Sequence, residues 1–237
     1  MGNIPDVLKN LRIPVIGAPL FIISNPKLVI AQCKAGIVGS MPALNARPAS
    51  QLDEWLAEIT EELASYNAKN PEQPAAPFAI NQIVHKTNDR LEHDMELCVK
   101  YKVPIIITSL GAREEVFEAA HSYGGIVLHD VINNKFAKKA IQKGADGIIA
   151  VAAGAGGHAG QQSPFALVQE IREWFDGPLA GNGRSISKIQ NSWNLETCSA
   201  FPDQQDLEKP PFSMPSASPS MAVHHGKIKS MLAATKS

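Results

Sequence analysis

Two kinds of pattern alternate along residues 13–180. Short apolar runs rich in Val and Ile, bounded by Gly or Pro, occur at IPVIGAP (13–19), GIVGSMPA (36–43), PFAINQIV (77–84), VPIIITSLG (103–111), GGIVLHDV (124–131) and DGIIAVAAG (146–154). Strands apolar on both faces belong to a sheet covered on both sides, which points to parallel pairing. The segments between them have helical spacing. Leu52, Trp55, Leu56, Ile59 and Leu63 recur at three- and four-residue steps with Asp and Glu between them, so one face of that helix is apolar. Residues 91–101, 113–122, 134–143 and 164–175 repeat the pattern, and VIAQCKAG around Cys33 reads as a further helix. Six strand–helix alternations leave an open doubly wound sheet or a (β/α)8 barrel, which periodicity does not separate. A seventh strand fits at Gly177-Pro178-Leu179-Ala180.

The text changes after Ala180. Pro210, Pro211, Pro215 and Pro219 stand among serines with no apolar alternation, a composition that cannot assemble a packed core. The expected division is therefore a partial barrel-type domain over 1–180 and a Pro/Ser-rich, disordered tail over 181–237, with a short helix allowed at 227–234. An eight-fold barrel takes about 250 residues, so the barrel is expected to be incomplete at its C-terminal end.

Composition narrows the function classes. The 237 residues are 44% hydrophobic and 19% charged, with a formal net charge of -1, which argues against a chain-wide nucleic-acid footprint. No apolar run reaches the ~20 residues of a membrane span. The N-terminus reads as neither a secretory signal nor a myristoylation site, since Asp6 stands where Ser or Thr is wanted. A cytoplasmic location is the expectation. Cys33, Cys98 and Cys198 are too few and too scattered for a disulfide framework or a zinc cluster, and Cys33 and Cys98 read as packed apolar side chains.

The chemistry concentrates at the ends of the predicted strands. The sixth strand runs into Ala-Gly-Ala-Gly-Gly-His-Ala-Gly (153–160), whose glycines 154, 156, 157 and 160 permit positive φ and close approach to a ligand. His158, in the middle of that loop, has the pKa range of a base near neutral pH, although a plain glycine-rich connection is an equal reading. The spacing is not a dinucleotide fingerprint. Gly17-Ala18-Pro19-Leu20 ends the first strand with small residues and a fixed proline, as an ordinary turn would. Asn81 and Gln82 interrupt the third strand, and a buried amide needs a ligand or a backbone partner. His85 follows in the next loop. Thr108-Ser109 and His129-Asp130 end strands four and five, where either pair can belong to a site or His129 and Asp130 can hold each other. Six strands that all end in small or polar residues raise the expectation of a shared pocket. The acidic run 53–62 reads as a solvated helix face, and His224-His225 has no neighbouring metal ligand.

The segments GAPLFIISNPKLVIAQCKAGIVGSMPALNARP, PFAINQIVHKTNDRLEHDMELCVKYKVPIIITSLGA and KGADGIIAVAAGAGGHAG together resemble the nitronate monooxygenases over residues 13–180. The resemblance implies a TIM barrel holding FMN non-covalently and oxidising alkyl nitronates with molecular oxygen. By it His158 matches the catalytic histidine, and Ala18, Pro19 and Leu20 match the turn against the flavin. Asn81 matches the strand-three amide, and Gly156 and Gly157 fall in the loop lining the flavin. The substrate side comprises a small nitronate or nitroalkane and O2, with no nucleic acid or membrane partner and the oligomeric state open. The chain departs from the family at two places. Asp130 stands where many members have a lysine, and GNGRSISKIQ follows the seventh strand in place of glycine-rich phosphate-binding turns. Weak or absent FMN binding is the resulting expectation. An FMN-dependent enoyl-acyl-carrier-protein reductase shares the G-G-H-x-G loop and is the alternative enzyme; a non-catalytic barrel fragment is the alternative outside catalysis.

Overall fold

The computed structural model describes residues 4–9, 11–157 and 159–182, and the backbone of 194–198. Eight strands follow in order: β1 (Val15–Gly17), β2 (Gly39–Pro42), β3 (Phe78–Ile83), β4 (Ile105–Ser109), β5 (Ile126–Val131), β6 (Gly147–Val151), β7 (Leu179–Asn182) and β8 (Asn194–Cys198). Every pairing is parallel, in the order β1-β8-β7-β6-β5-β4-β3-β2. A bridge between Ile16 and Val38 joins the two ends of that order, so the sheet closes on itself. Seven strands stand where the apolar runs place them, and the closed parallel sheet is the TIM-type barrel.

The eighth lies within the stretch read from sequence as an irregular tail. Residues 194–198 read NLETC, which offers neither a continuous apolar run nor strict alternation. Backbone pairing fixes that strand instead, Asn194 registering with Leu179 and Glu196 with Val15. Among the described residues no helix follows β7, so the strand–helix repeat is incomplete there. Residues 183–193 and 199–237, with the possible helix at 227–234 and His224-His225, lie outside the described residues.

The helices are α1 (Asp6–Lys9), α2 (Pro26–Lys34), α3 (Gln51–Lys69), α4 (Leu91–Lys100), α5 (Glu114–His121), α6 (Asn134–Gln142) and α7 (Pro164–Arg172). Local chemistry sets where some begin. Asn25 and Asn133 sit in extended backbone and accept hydrogen bonds from Leu28 N (3.1 Å) and Phe136 N (2.9 Å), the N-cap arrangement, with Pro26 in the first turn of α2. The four-residue α1 is too short for periodicity to reveal.

Burial divides into two layers. One, between sheet and helices, holds Cys33, Met41, Leu56, Ile59, Ile80, Ile106, Phe117, Ile148 and Ile171 among others. The other fills the lumen with Ile16, Val38, Ala79, Ile105, Ile107, Leu128, Ile149, Val151 and Ala180, and takes in Leu8 of α1. Alternate residues of each strand go to alternate layers. The helix layer is tight at Gly39, where an added Cβ would stand 2.4 Å from the Val29 carbonyl oxygen. That fit seats α2 directly on β2.

Candidate functional site at the barrel mouth

Strand alternation decides which strand-end residues face the lumen. On β4, Ile107 is in the lumen cluster, so Thr108 turns outward and Ser109 inward; on β5, Leu128 makes His129 outward and Asp130 inward. The contacts agree. Thr108 Oγ1 and His129 Nδ1 share a 2.6 Å hydrogen bond, and the His129 ring meets Phe117 edge-on with centroids 6.3 Å apart. Burial pushes the imidazole down to about 4, so it is neutral near pH 7. His129 and Asp130 therefore do not hold each other, and His129 is a helix-layer residue. Gln82 also turns outward, where its Nε2 donates to Cys98 Sγ at 3.5 Å while Oε1 is buried without a partner.

The inward residues form a row across three strands. Asn81 Nδ2 donates to Ser109 Oγ at 2.8 Å and to the Ile107 carbonyl at 3.3 Å; Ser109 Oγ in turn donates to Asp130 Oδ2 at 2.5 Å. Burial pushes the Asp130 carboxyl up to about 6, with the Ser109 hydrogen bond opposing the rise. At the end of β7, Asn182 continues the inward parity of Ala180, and its Oδ1 is buried without a partner.

The turn after β1 is held from below. Ser40 Oγ donates to the Gly17 carbonyl and Ser24 Oγ accepts from Leu20 N at 2.9 Å. Asn45 clamps the same turn, with Nδ2 donating to the Leu20 and Ser24 carbonyls (2.9 and 2.8 Å) and Oδ1 accepting from Ile22 N. Ala18, Pro19 and Leu20 are partly buried on this fixed turn. The residues beyond it, Phe21, Ile22 and Ile23, are exposed.

The glycine-rich loop after β6 folds back toward the lumen, because Ala155 packs against the lumen cluster. Ala153 N donates to the Gln162 carbonyl at 2.8 Å, and Gly160 N to the Val151 carbonyl at 3.2 Å, so both ends of the loop are tied down. Between them Gly154 and Gly157 have φ of 87° and 77° with open space where a Cβ would stand. Gly156 and Gly157 are exposed. His158 lies outside the described residues.

Thus Ala18, Asn81 and the loop of Gly156 and Gly157 all belong to the C-terminal ends of strands β1, β3 and β6, the end at which barrels of this kind carry their sites. Sequence reasoning gave Ser109 and Asp130 only as undecided strand-end polar residues and did not name Asn45 or Asn182. Counting parity from the apolar residues of each strand places Ser109 and Asp130 on the face of Asn81. Nothing local marks Asn45, whose partners lie 21 to 25 residues away. The other candidates have ordinary surroundings. His85 is an exposed loop residue bonded to Thr87 Oγ1 at 2.9 Å, and the Cys33 and Cys98 thiols are buried and pushed up to about 12, which leaves them protonated and inert. Among the described residues no group of three or more His, Cys, Asp and Glu could hold a metal, and no helix is long and apolar enough to cross a membrane.

Known proteins agree with this architecture. The chain is 23% identical over 177 residues to a 5-hydroxy-7a-methyl-1-oxo-octahydro-1H-indene-4-carboxyl-CoA dehydrogenase of Rhodococcus jostii, covering 74% of this chain and 46% of the relative. It is 27% identical over 187 residues to a nitronate monooxygenase of Neurospora crassa, covering 68% of this chain and 49% of the relative. The chain thus spans about half the length of these curated relatives. Among solved structures, nitroalkane oxidase from Streptomyces ansochromogenes superposes with a TM-score of 0.61 at 18% identity, covering 74% of this chain and 60% of the other, which is a likeness of fold. The nitronate monooxygenase family matches residues 6–184. With its strand order, closed sheet and glycine-rich loop after β6 in place, the chain belongs to the nitronate monooxygenase family.

Proposed function

We propose that the barrel mouth binds FMN and oxidises alkyl nitronates or their parent nitroalkanes with molecular oxygen. The observation that carries this reading is the convergence of a clamped small-residue turn, an inward polar row and an open glycine loop on one end of the lumen. The described residues suit the isoalloxazine end of the cofactor. Ala18 leaves room for a flat ring, the Pro19-Leu20 backbone is held still by Asn45 and Ser24, and Gly156 and Gly157 expose backbone beside it. Asn81 engages both amide hydrogens, which leaves its Oδ1 to accept from a ring N–H. An ionised Asp130 does not suit a phosphate, so the phosphate end falls to residues following β7.

When bound, FMN supplies the electron acceptance and oxygen chemistry that no side chain here provides. The chain's own residues position the substrate and handle its proton. His158 takes the α-proton of a nitroalkane, or donates to the oxygens of a nitronate supplied already ionised. Oxygen uptake by the FMN-loaded protein tests the assignment. His158→Ala should lower turnover of a neutral nitroalkane by roughly 10²- to 10⁴-fold, the usual worth of a general base, and lower nitronate turnover less. Unchanged nitroalkane turnover would overturn it.

A second reading has one observation in its favour, the Rhodococcus relative named for a carboxyl-CoA substrate. A reductase or dehydrogenase acting on an acyl thioester would consume or form NADH without oxygen uptake, which separates the two directly.

A further inference from the structure

We infer that Asn45 is a positioning residue: it holds Ile22 in a left-handed conformation that this side chain does not adopt unaided, and so keeps the Ala18-Pro19-Leu20 turn in the shape that receives a flat ring. The link to the ring rests on the function proposed above; the hold on Ile22 does not.

Glycine is the residue that chains place at a positive φ, because a Cβ crowds the backbone there. Ile22 has a φ of 69°. Among the described residues the other non-glycine positions with positive φ are Lys102 and Leu110, and neither carries the β-branch that makes this region most costly. Burial does not hold Ile22 in place, since it is 74% exposed, between the exposed Phe21 and Ile23. A residue in such a conformation persists only where its surroundings over-determine it.

One side chain does most of that. Asn45 Oδ1 accepts from Ile22 N at 3.0 Å, and Nδ2 donates to the carbonyls on either side of it, Leu20 at 2.9 Å and Ser24 at 2.8 Å. The turn also closes on itself, with Ser24 N donating to the Leu20 carbonyl at 3.0 Å and Leu20 N to Ser24 Oγ at 2.9 Å. Those two bonds join the ends of the turn, whereas the bond from Ile22 N to Asn45 fixes its middle. From the same loop as Asn45, the Arg47 guanidinium stands 5.1 Å from the centre of the Phe21 ring.

Asn45 itself stands on a fixed platform. It ends the 3-10 turn Ala43–Asn45 that follows β2, between the buried Ala43 and Ala46. Arg90 Nη1 donates to the Ala46 carbonyl at 2.8 Å, and its Nη2 pairs with the buried Asp94 of α4 at 3.1 Å. The hold therefore runs from α4, through the loop after β2, to the turn after β1. With its amide hydrogens and its oxygen engaged there, Asn45 acts on a ligand through the turn. Without it, Ile22 relaxes toward negative φ and the turn must be re-formed each time a ring binds, which lowers affinity without removing a ligand contact.

Titration of FMN with the purified full chain, followed by flavin fluorescence, tests this. Asn45→Ala should weaken binding about tenfold, the order of effect that one strained residue carries. Ile22→Gly accepts the left-handed conformation without help and should bind as the wild type does. The double variant Asn45→Ala/Ile22→Gly should recover most of the lost affinity, which glycine at an exposed position would not do for a lost ligand contact. Wild-type affinity in Asn45→Ala, or a double variant no tighter than Asn45→Ala, would overturn the inference. If Asn45→Ala loses its far-UV circular dichroism, Ile22→Pro decides. Proline cannot take a positive φ and has no N–H for Asn45, so binding should again weaken about tenfold, and wild-type affinity would overturn the inference. Absence of any quenching by the wild type would overturn the functional reading, and hydrogen exchange then decides the hold. The Ile22 amide should exchange at least about tenfold more slowly in the folded wild type than in the unfolded chain; an unprotected Ile22 amide would overturn the inference.

Discussion

Thr108–His129 and Ser109–Asp130 are the same kind of pair, a hydroxyl and a titrating group on β4 and β5, one residue apart along the chain. The first lies on the helix side of the sheet, under Phe117, and the second on the lumen side. The imidazole is pushed down to about 4 and the carboxyl up to about 6, each because burial disfavours its charged form. Yet the consequences diverge. His129 is enclosed in packed apolar surroundings, whereas Asp130 stands on the lumen face and accepts from Ser109. Position relative to the sheet, rather than residue type, decides which layer a strand-end polar pair joins.

The largest effect should come from breaking the helix side alone. Phe117→Ala deletes a fully buried ring from that layer and should cost about 3–5 kcal/mol of stability in urea unfolding. The lumen row should survive in the folded fraction, read as an unchanged Asp130 titration by carboxyl 13C NMR. Loss of that titration would mean that the two sides are not separable.

The next prediction uses the opposite signs of the two groups. The folded His129 binds its proton only near pH 4, while the unfolded chain binds one below about 6.5, so this group removes stability as pH falls from 6.5 to 4. The folded Asp130 binds its proton near pH 6 and the unfolded one only near 3.8, so this group restores stability over nearly the same window. Each is worth about 3 kcal/mol by the usual conversion of pKa shift to free energy, and their contributions nearly cancel in the wild type. Asp130→Asn should therefore expose a steep loss of stability between pH 6.5 and 4, and His129→Gln a gain. Parallel curves for the two variants would refute the opposition.

The smallest effect is expected at the hydroxyls. Ser109→Ala removes the hydrogen bonds to Asn81 and Asp130, and Thr108→Val the one to His129; each should cost about 1–3 kcal/mol, but only the first should raise the Asp130 titration. A matching shift in Thr108→Val would show that the sheet does not insulate its faces.

Much of this fold was legible in the sequence because a strand covered on both faces writes itself as a continuous apolar run. Seven strands and the helices α2 to α7 follow from such runs and from three- and four-residue spacing. β8 was not legible, since NLETC has no pattern and its place comes from pairing with β1 and β7. The candidate site was legible as a set of strand ends and not as a geometry. The continuous runs that reveal buried strands also hide which residues face the lumen, and His129-Asp130 could be split only by counting parity from Leu128. Asn45 was invisible because a clamp from a neighbouring loop leaves no periodic mark.

The central claim, that ligand chemistry belongs to the lumen side of the strand ends, is tested most directly by titrating FMN with the purified chain and following flavin fluorescence. Weak but saturable quenching is predicted for the wild type. Ala18→Trp, which fills the mouth from the clamped turn, should abolish it while the far-UV circular dichroism is unchanged. Equal quenching by the wild type and a folded Ala18→Trp variant would contradict the account.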